Sequence, residues 1–416
     1  MPDSPLTEDY HAQTATRRHI PAHITFWDET LRDGEQMPGV HFSSEEKLVI
    51  AEKLAAVGVE VINAGIPVVS KDEEAMVSRI AHAGIKANIL AAGRTVPGDV
   101  DAIIRSGVTH AAIFVAASEV HLRYKLRMSQ EEVVKAAVES VKRAHEAGLH
   151  VAFVTEDTTR APMDFVERLY LSVLEAGADR LVVSDTVGVM TPMTFRWFLR
   201  EFSARVHPKD WSVHCHNDFG MATANTIAAI EEGVNAPHTC VNGLGERAGN
   251  TSFEEVVMTL ESLYKCRTGI KTEQLYELST MVEKYSGVPL PPNKALVGYN
   301  AFSHEAGIHT HGVLRNSLTY EPLQPELLGR KRRFILGKHT GRAAIQEKLR
   351  EGAAPHSDDQ LARLTELVKT TEERRGKDLR NDLLRRYHIE FEQPGLKDAE
   401  FWELAHQVGI ERGKPT

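Results

Sequence analysis

The stretch SQEEVVKAAVESVKRAHEAGLHVAFVTED, residues 129–157, contains one full step of a repeating pattern. Ser129 precedes Glu131 and Glu132, which suits a helix N-cap followed by acids at the positive end of the helix dipole. Apolar residues then recur at helical spacing up to Gly148, where a helix C-terminus is expected. A short β-rich run, His150–Asp157, follows at once and ends on two carboxylates. Outward from this step the same pattern repeats. SSEEKLVIAEKLAAVG (Ser43–Gly58) has the same serine, glutamates and closing glycine. Further β-rich runs occupy His23–Leu31, Val59–Ile66, Lys86–Gly93, His110–Ala117, Arg180–Thr186, Trp211–Asp218 and Asn235–Gly243, which makes eight. Gly58, Gly84, Gly107, Gly148, Gly177 and Gly233 punctuate the returns from helix to strand.

Strands alternating with helices imply right-handed βαβ units and a parallel sheet. Eight units over about 250 residues fit an α/β fold of the (β/α)8 TIM-barrel type. An open doubly wound sheet is the alternative, but no GxGxxG opens the first helix. The pattern predicts a flexible arm over 1–21 and the barrel over 22–287. A linker and lid subdomain is expected over 288–349, and a charged, α-rich C-terminal helical subdomain over 350–416. The chain has 416 residues, 42% of them hydrophobic and 26% charged, the balance of a globular protein. A net charge of −9 argues against a nucleic-acid partner. No apolar run reaches the ~18 residues of a membrane span, so no membrane partner is expected. The N-terminus has no secretory h-region, and three scattered cysteines imply no disulfide framework. A cytoplasmic location is expected.

In a parallel barrel the active site lies at the C-terminal ends of the strands. Ionisable residues cluster there, in DETLRDGEQ, TEDTTR, SDT, HCHND and NGLGERAGN. In His214-Cys215-His216 the two imidazoles are two residues apart and share one face of a strand. Two co-directed imidazoles beside a carboxylate make a metal half-site, with Asp33 as the carboxylate and the amide oxygen of Asn250 completing the set. Such N and O ligands suit Mg, Mn, Co or Zn alike. Asp218 reads equally as a loop cap. Arg32 is placed to hold an oxyanion or carboxylate, or to orient Asp33 by a salt bridge. Glu156 is a candidate general acid/base, Asp157 a partner for Arg160, and Thr186 a hydroxyl donor to a substrate carboxylate. His304 and His309 lie beyond the barrel, where a mobile imidazole would serve as a proton shuttle.

DETLRDGEQ, HCHNDFGMATAN, NGLGERAGN, FSHEAGIHTHG and LGKHTGR together resemble the signatures of the acyl-CoA-dependent 2-oxo-acid condensing enzymes. That family includes the homocitrate, 2-isopropylmalate and citramalate synthases, and the resemblance runs from about Ile24 to about Leu349. It implies a metal-dependent barrel and a homodimer that exchanges its C-terminal subdomains. It also implies a Claisen condensation of acetyl-CoA with a 2-oxo acid, giving CoA and a malate-type or tricarboxylic product. In that scheme Asp33, His214, His216 and Asn250 hold the divalent metal. Arg32, Glu156, His304 and Tyr320 act on the reacting groups, and Gly243, Gly245, Glu246 and Arg247 shape the acetyl-CoA side. The acceptor meets Arg32 and Thr186, with Arg94, Val96, Ala152 and Val154 around its variable end. Ala152 and Val96 stand where lysine-pathway homocitrate synthases place an Arg and a His, so the acceptor pocket is expected to be more apolar. Arg94 and Arg123 remain available for an acidic acceptor. Citramalate-, citrate-, phosphonomethylmalate- and benzylmalate-type reactions stay open. So does a hydroxyacyl-CoA lyase of the same superfamily, although the catalytic Cys of those lyases is missing from Gly243–Arg247. A non-catalytic binding barrel is the other class. With 75 residues after Gly341, no leucine-sensing domain is expected.

Overall fold

The computed structural model describes residues 10–14, 19–351 and 357–371. Much of the expected arm, at 1–9 and 15–18, lies outside the described residues, as does most of the expected C-terminal helical subdomain, at 352–356 and 372–416. The described residues divide into two compact units. One runs to Ala301 and takes in Pro322–Lys331, and the other comprises Phe302–Glu321 and the residues from Arg332 onward. The segment 288–349 is therefore shared between the two.

The first unit is a closed parallel barrel. Its strands are β1 (Trp27–Asp28), β2 (Val61–Asn63), β3 (Asn88–Arg94), β4 (His110–Ala116), β5 (His150–Glu156), β6 (Arg180–Asp185), β7 (Trp211–Cys215) and β8 (Ala236–Thr239). Each pairs with its neighbour in sequence, and β1 closes the ring on β8 through Trp27 opposite His238. All eight expected runs form strands, so the fold is the (β/α)8 barrel and not the open sheet. The helix Ser44–Val57 starts in a capping box between Ser43 and Glu46 and stops at Gly58, whose φ of +116° is left-handed. The helix Gln130–Glu146 starts in the same device, from Ser129 to Glu132.

One local departure matters for the site. DETLRDGEQ does not continue as strand, because Asp28 turns the chain. Its carboxylate accepts from the backbone N–H and the hydroxyl of Thr30, both at 2.9 Å. Residues Thr30–Gly34 then form a π-helical turn, with the Gly34 N–H donating to the Glu29 carbonyl. Burial pushes the Asp28 carboxyl up to about 7, against the hydrogen bonds from Thr30.

Inside the barrel, Trp27, Val61, Leu90, Ala92, Ala112, Ala152 and Val182 pack as one buried cluster, and Ile66, Phe114 and Val154 lie against it. β5 and β6 are tied from outside by Tyr170 on the helix Met163–Glu175. Its buried hydroxyl donates to the Val182 carbonyl at 2.5 Å and lies 2.6 Å from the Thr155 hydroxyl.

The second unit holds two parallel two-residue strands, β9 (Ser303–His304) and β10 (Arg333–Phe334), with the helices Gly307–Arg315 and Arg342–Glu351. A side chain at Gly307 would come within 2.8 Å of the Gly341 Cα, so this approach needs glycine.

Removing the Tyr170 hydroxyl in Tyr170→Phe is expected to cost about 1–2 kcal/mol. The melting temperature should fall by a few degrees, and an unchanged value would mean that this tie contributes nothing.

Candidate metal centre at the barrel mouth

The π-helical turn after β1 brings Asp33 over the ends of β7 and β8. The Asp33 Oδ2 lies 3.0 Å from His214 Nε2 and 3.6 Å from His216 Nε2, and the two Nε2 atoms are 3.2 Å apart. All three residues are buried, and among the described residues they form the one group of three convergent donors. The spacings are those of neighbouring ligands about 2.1 Å from a common ion. Asn250, whose backbone bridges to that of His216, is the candidate for a fourth. Its amide nitrogen donates to the Leu244 carbonyl at 3.1 Å, while its buried Oδ1 has no hydrogen-bond partner. A lone acceptor, a carboxylate and two imidazoles fit a divalent cation of the mixed N and O kind.

Neighbours fix both the geometry and the charge. The Asp33 Oδ2 accepts from Arg32 at 3.0 Å, and its Oδ1 accepts from the Glu246 backbone N–H at 3.3 Å. Burial alone would raise the Asp33 carboxyl. The hydrogen bond from His214 and the charges of Arg32, His214 and His216 outweigh it and hold the group well below the usual carboxylate range. Burial, reinforced by His214, brings His216 down to about 3. At neutral pH Asp33 is therefore a carboxylate and His216 a neutral imidazole, the forms that bind metal. The glycine loop after β8 sets Asn250: at Gly245, φ +152°, a Cβ would fall 2.1 Å from Asn250 Nδ2.

A cavity of about 360 Å³ opens beside these donors. Arg32, Asp33, Val154, Glu156, Thr186, His214, His216, Glu246 and Arg247 line it. Glu156 is gripped by Lys125, whose Nζ is 2.6 Å from both carboxylate oxygens, and His121 Nδ1 lies 3.5 Å away. The Thr186 hydroxyl accepts from the Asp157 N–H at 2.8 Å. Arg247 forks onto Asp218 at 2.8 Å and donates to the Thr186 carbonyl at 2.7 Å, which makes it a brace for the strand-six end. Asp157 pairs with Arg160.

Other expected residues lie elsewhere. Arg94 and Val96 do not line the cavity. The Arg94 guanidinium is forked onto Asp99, five residues on, and Val96 is the exposed cap of the helix Pro97–Ser106. Ala152 does not line the cavity either; on β5 Val154 and Glu156, two and four residues farther along, do. Arg123 lies over the Tyr124 ring, 5.2 Å from its centre. Gly243 and Gly245 shape the loop without facing the cavity. His304 and Tyr320 belong to the second unit. There His304 Nε2 pairs with Glu321 at 2.9 Å, and Tyr320 stacks on His309 with ring centres 4.0 Å apart.

Sequence reasoning missed Glu29, Asn63, His238, His121 and Lys125. Glu29 is buried, its two carboxylate oxygens accept from Asn63 Nδ2 at 2.9 and 3.1 Å, and it lies 3.8 Å from Arg32 Nε. Burial raises its carboxyl and pushes His238 well below the usual imidazole range. Counting every second residue inward from Trp27 and Val61 would have found Glu29 and Asn63.

The comparisons with known proteins agree with one another. Residues 23–282 match the HMGL-like family model, and 296–376 match the homocitrate synthase post-HMGL domain-like model. A probable 2-isopropylmalate synthase of Ignicoccus hospitalis is 47% identical over 84% of this chain and 88% of its own length. A homocitrate synthase AksA of Methanopyrus kandleri is 47% identical over 89% and 93%. An (R)-citramalate synthase CimA of Methanocaldococcus jannaschii is 46% identical over 83% and 70%. Among solved structures, a Bacillus subtilis HMG-CoA lyase superposes with a TM-score of 0.60 at 24% identity, covering 65% of this chain and 96% of the lyase, a likeness of fold.

Gly245→Ala is expected to weaken Mn²⁺ binding at least tenfold in calorimetric titration, because the added methyl displaces Asn250. Unchanged affinity would remove Asn250 from the donor set.

Proposed function

The chain belongs to the HMGL-like family, with homocitrate, 2-isopropylmalate and citramalate synthases among its relatives, and from that premise we propose that it condenses acetyl-CoA with a 2-oxo acid and releases CoA. The observation that carries this reading is the convergence of the Asp33, His214 and His216 donors beside the Arg32 guanidinium in one barrel mouth. A divalent ion held by Asp33, His214, His216 and Asn250 supplies Lewis acidity toward the acceptor's oxygens.

The chain's own residues do the rest. Glu156 takes a methyl proton from acetyl-CoA, and the C–H electron pair forms the new bond to the keto carbon. Lys125 keeps that carboxylate turned to the cavity. Arg32 donates toward the oxygen on which negative charge grows, where a fixed donor is worth most. Thr186, already accepting from a backbone N–H, offers its own proton to the acceptor's carboxylate. Glu246 and Arg247 stand on the acetyl-CoA side. His304, with Tyr320 assisting, returns a proton to the former keto oxygen. In this reading the second unit of one copy serves the barrel of another in a homodimer. Water then cleaves the thioester: the acyl C–S bond breaks, a C–O bond forms, and CoA leaves as the thiol.

Cleavage of a hydroxyacyl-CoA is the second reading. Cys240, the thiol that opens the strand-eight loop, is fully buried, and burial raises it well above the usual thiol range. A thiol so placed does not act as a nucleophile, which favours synthesis. Among the described residues no helix is long and apolar enough to cross a membrane. Cys215 and Cys240 are buried free thiols, which suit a reducing cytoplasm.

Free thiol should appear when acetyl-CoA and a 2-oxo acid are mixed with protein and a divalent metal, and a chelator should abolish it. Glu156→Gln should lower kcat by about 10²-fold or more while metal still binds. Chelator-resistant release, or full activity in Glu156→Gln, would contradict these roles.

A further inference from the structure

The barrel-mouth cavity is divided by chemistry. The donor atoms come from the turn after β1, from β7 and from the loop after β8, whereas Ile66, Ala92, Ala112, Phe114 and Val154, on or just past β2 to β5, make an apolar wall that shares its side of the cavity with Asn63 and the Lys125–Glu156 pair. Register explains its shape. Ala92 on β3 lies opposite Ala112 on β4, and two residues farther along, Phe114 lies opposite Val154 on β5. Two alanines side by side leave a recess at the base of the wall, and the larger Phe114 and Val154 stand above it.

Charge in the cavity is already spoken for. Its Lys and Arg side chains are Arg32, Lys125 and Arg247. Arg32 is bonded to Asp33, Lys125 to Glu156, and Arg247 to Asp218. Arg32 Nε has no hydrogen-bond partner among the described residues and, with Thr186, is taken by the acceptor's first carboxylate in the condensation reading. A second carboxylate would have to compete with Glu156 for Lys125 or with Asp218 for Arg247, or lie unpaired against alanine and phenylalanine, and either is costly. An uncharged hydrocarbon meets no such cost and gains from leaving water.

We propose that the acceptor is a 2-oxo monocarboxylic acid with an uncharged hydrocarbon substituent, and that this substituent lies in the recess formed by Ala92 and Ala112 under Phe114 and Val154. The inference rests on the condensation reading above and narrows it. The acid's keto and carboxylate oxygens face the donor half, Arg32 and Thr186, and the substituent points across the barrel to β3, β4 and β5. Arg32 stands at the seam between the halves, with its guanidinium carbon 6.0 Å from the Phe114 ring centre.

The test uses the full-length, metal-supplied protein with acetyl-CoA and six acids. Pyruvate, 2-oxoisovalerate and phenylpyruvate have uncharged substituents, while oxaloacetate, 2-oxoglutarate and phosphonopyruvate carry a second acid group. Thiol release gives kcat/KM for each. At least one uncharged acceptor is expected to exceed every doubly acidic one by tenfold or more, and an equal or better doubly acidic acceptor overturns the proposal. Ala112→Val should lower turnover of the two larger uncharged acids, relative to pyruvate, by at least tenfold, since one or two methylenes of pocket space are worth about that much. An unchanged ratio overturns the assignment of the recess, and Val154→Ala, which enlarges the same wall, should shift the ratio the other way. If no acid releases thiol, the condensation reading fails, and calorimetric titration of the six acids without acetyl-CoA still decides the pocket. Tighter binding of uncharged acids supports it, whereas tighter binding of doubly acidic ones, or none at all, overturns it.

Discussion

Lone-pair atoms aimed at a single point repel one another, and the barrel mouth is organised around that repulsion. Asp33, His214 and His216 bring an oxygen and two nitrogens within 3.0–3.6 Å of each other in a buried space. Such a cluster persists only if a cation or a shared proton lies among its members and the surrounding protein holds them in place. The surroundings do so from several sides. Arg32 and the Glu246 N–H hold the two oxygens of Asp33, the backbone at the end of β7 fixes the imidazoles two residues apart, and Gly245, lacking a side chain, leaves room for the Asn250 amide. Even the unusual start of the barrel serves this end. A longer β1 would carry Asp33 along the strand, and the Asp28–Thr30 contacts instead bend the chain so that it turns over the mouth.

Ordered polar groups there are balanced by a plain interior below. The cluster from Trp27 to Val182 supplies the burial that closes the barrel, and hydrophobic burial of this kind is the main favourable contribution to folding. The cavity lining above it is mixed: Glu29, Asn63 and His238 carry polar groups, and Phe114 and Val154 are apolar. A carboxylate and an imidazole at this depth cost desolvation, and Asn63 and Arg32 offset that cost for Glu29. Retaining expensive groups at one end of an otherwise apolar barrel is what a reaction site requires and what stability alone would remove.

Much of this was legible in the sequence because strand and helix periods are local. The capping serines at Ser43 and Ser129, the eight β-rich runs and the HCH spacing each depend on residues only a few positions apart, and each marks an element or a pair of co-directed side chains. The misplacements have the opposite character. Arg94 reads as available to a substrate because nothing in its own run shows that Asp99 folds back to take its charge. Ala152 and Val154 differ by one step of strand depth, and the sequence does not say which of them meets the cavity. Glu29 is one acid among several in DETLRDGEQ until the barrel buries it against Asn63, and Lys125 is one charge among several until the turn after β4 brings it to Glu156. Pairings between distant segments were invisible, whereas the chemistry each segment carried was plain.

The account turns on one divalent ion held by Asp33, His214 and His216. Its most direct test is calorimetric titration of Mn²⁺ into metal-free protein, beside Asp33→Asn at matched thermal stability. One ion per chain should bind the native protein, and at least 10²-fold weaker binding is expected in the variant. Equal binding by both would place the metal elsewhere and contradict the account at its centre.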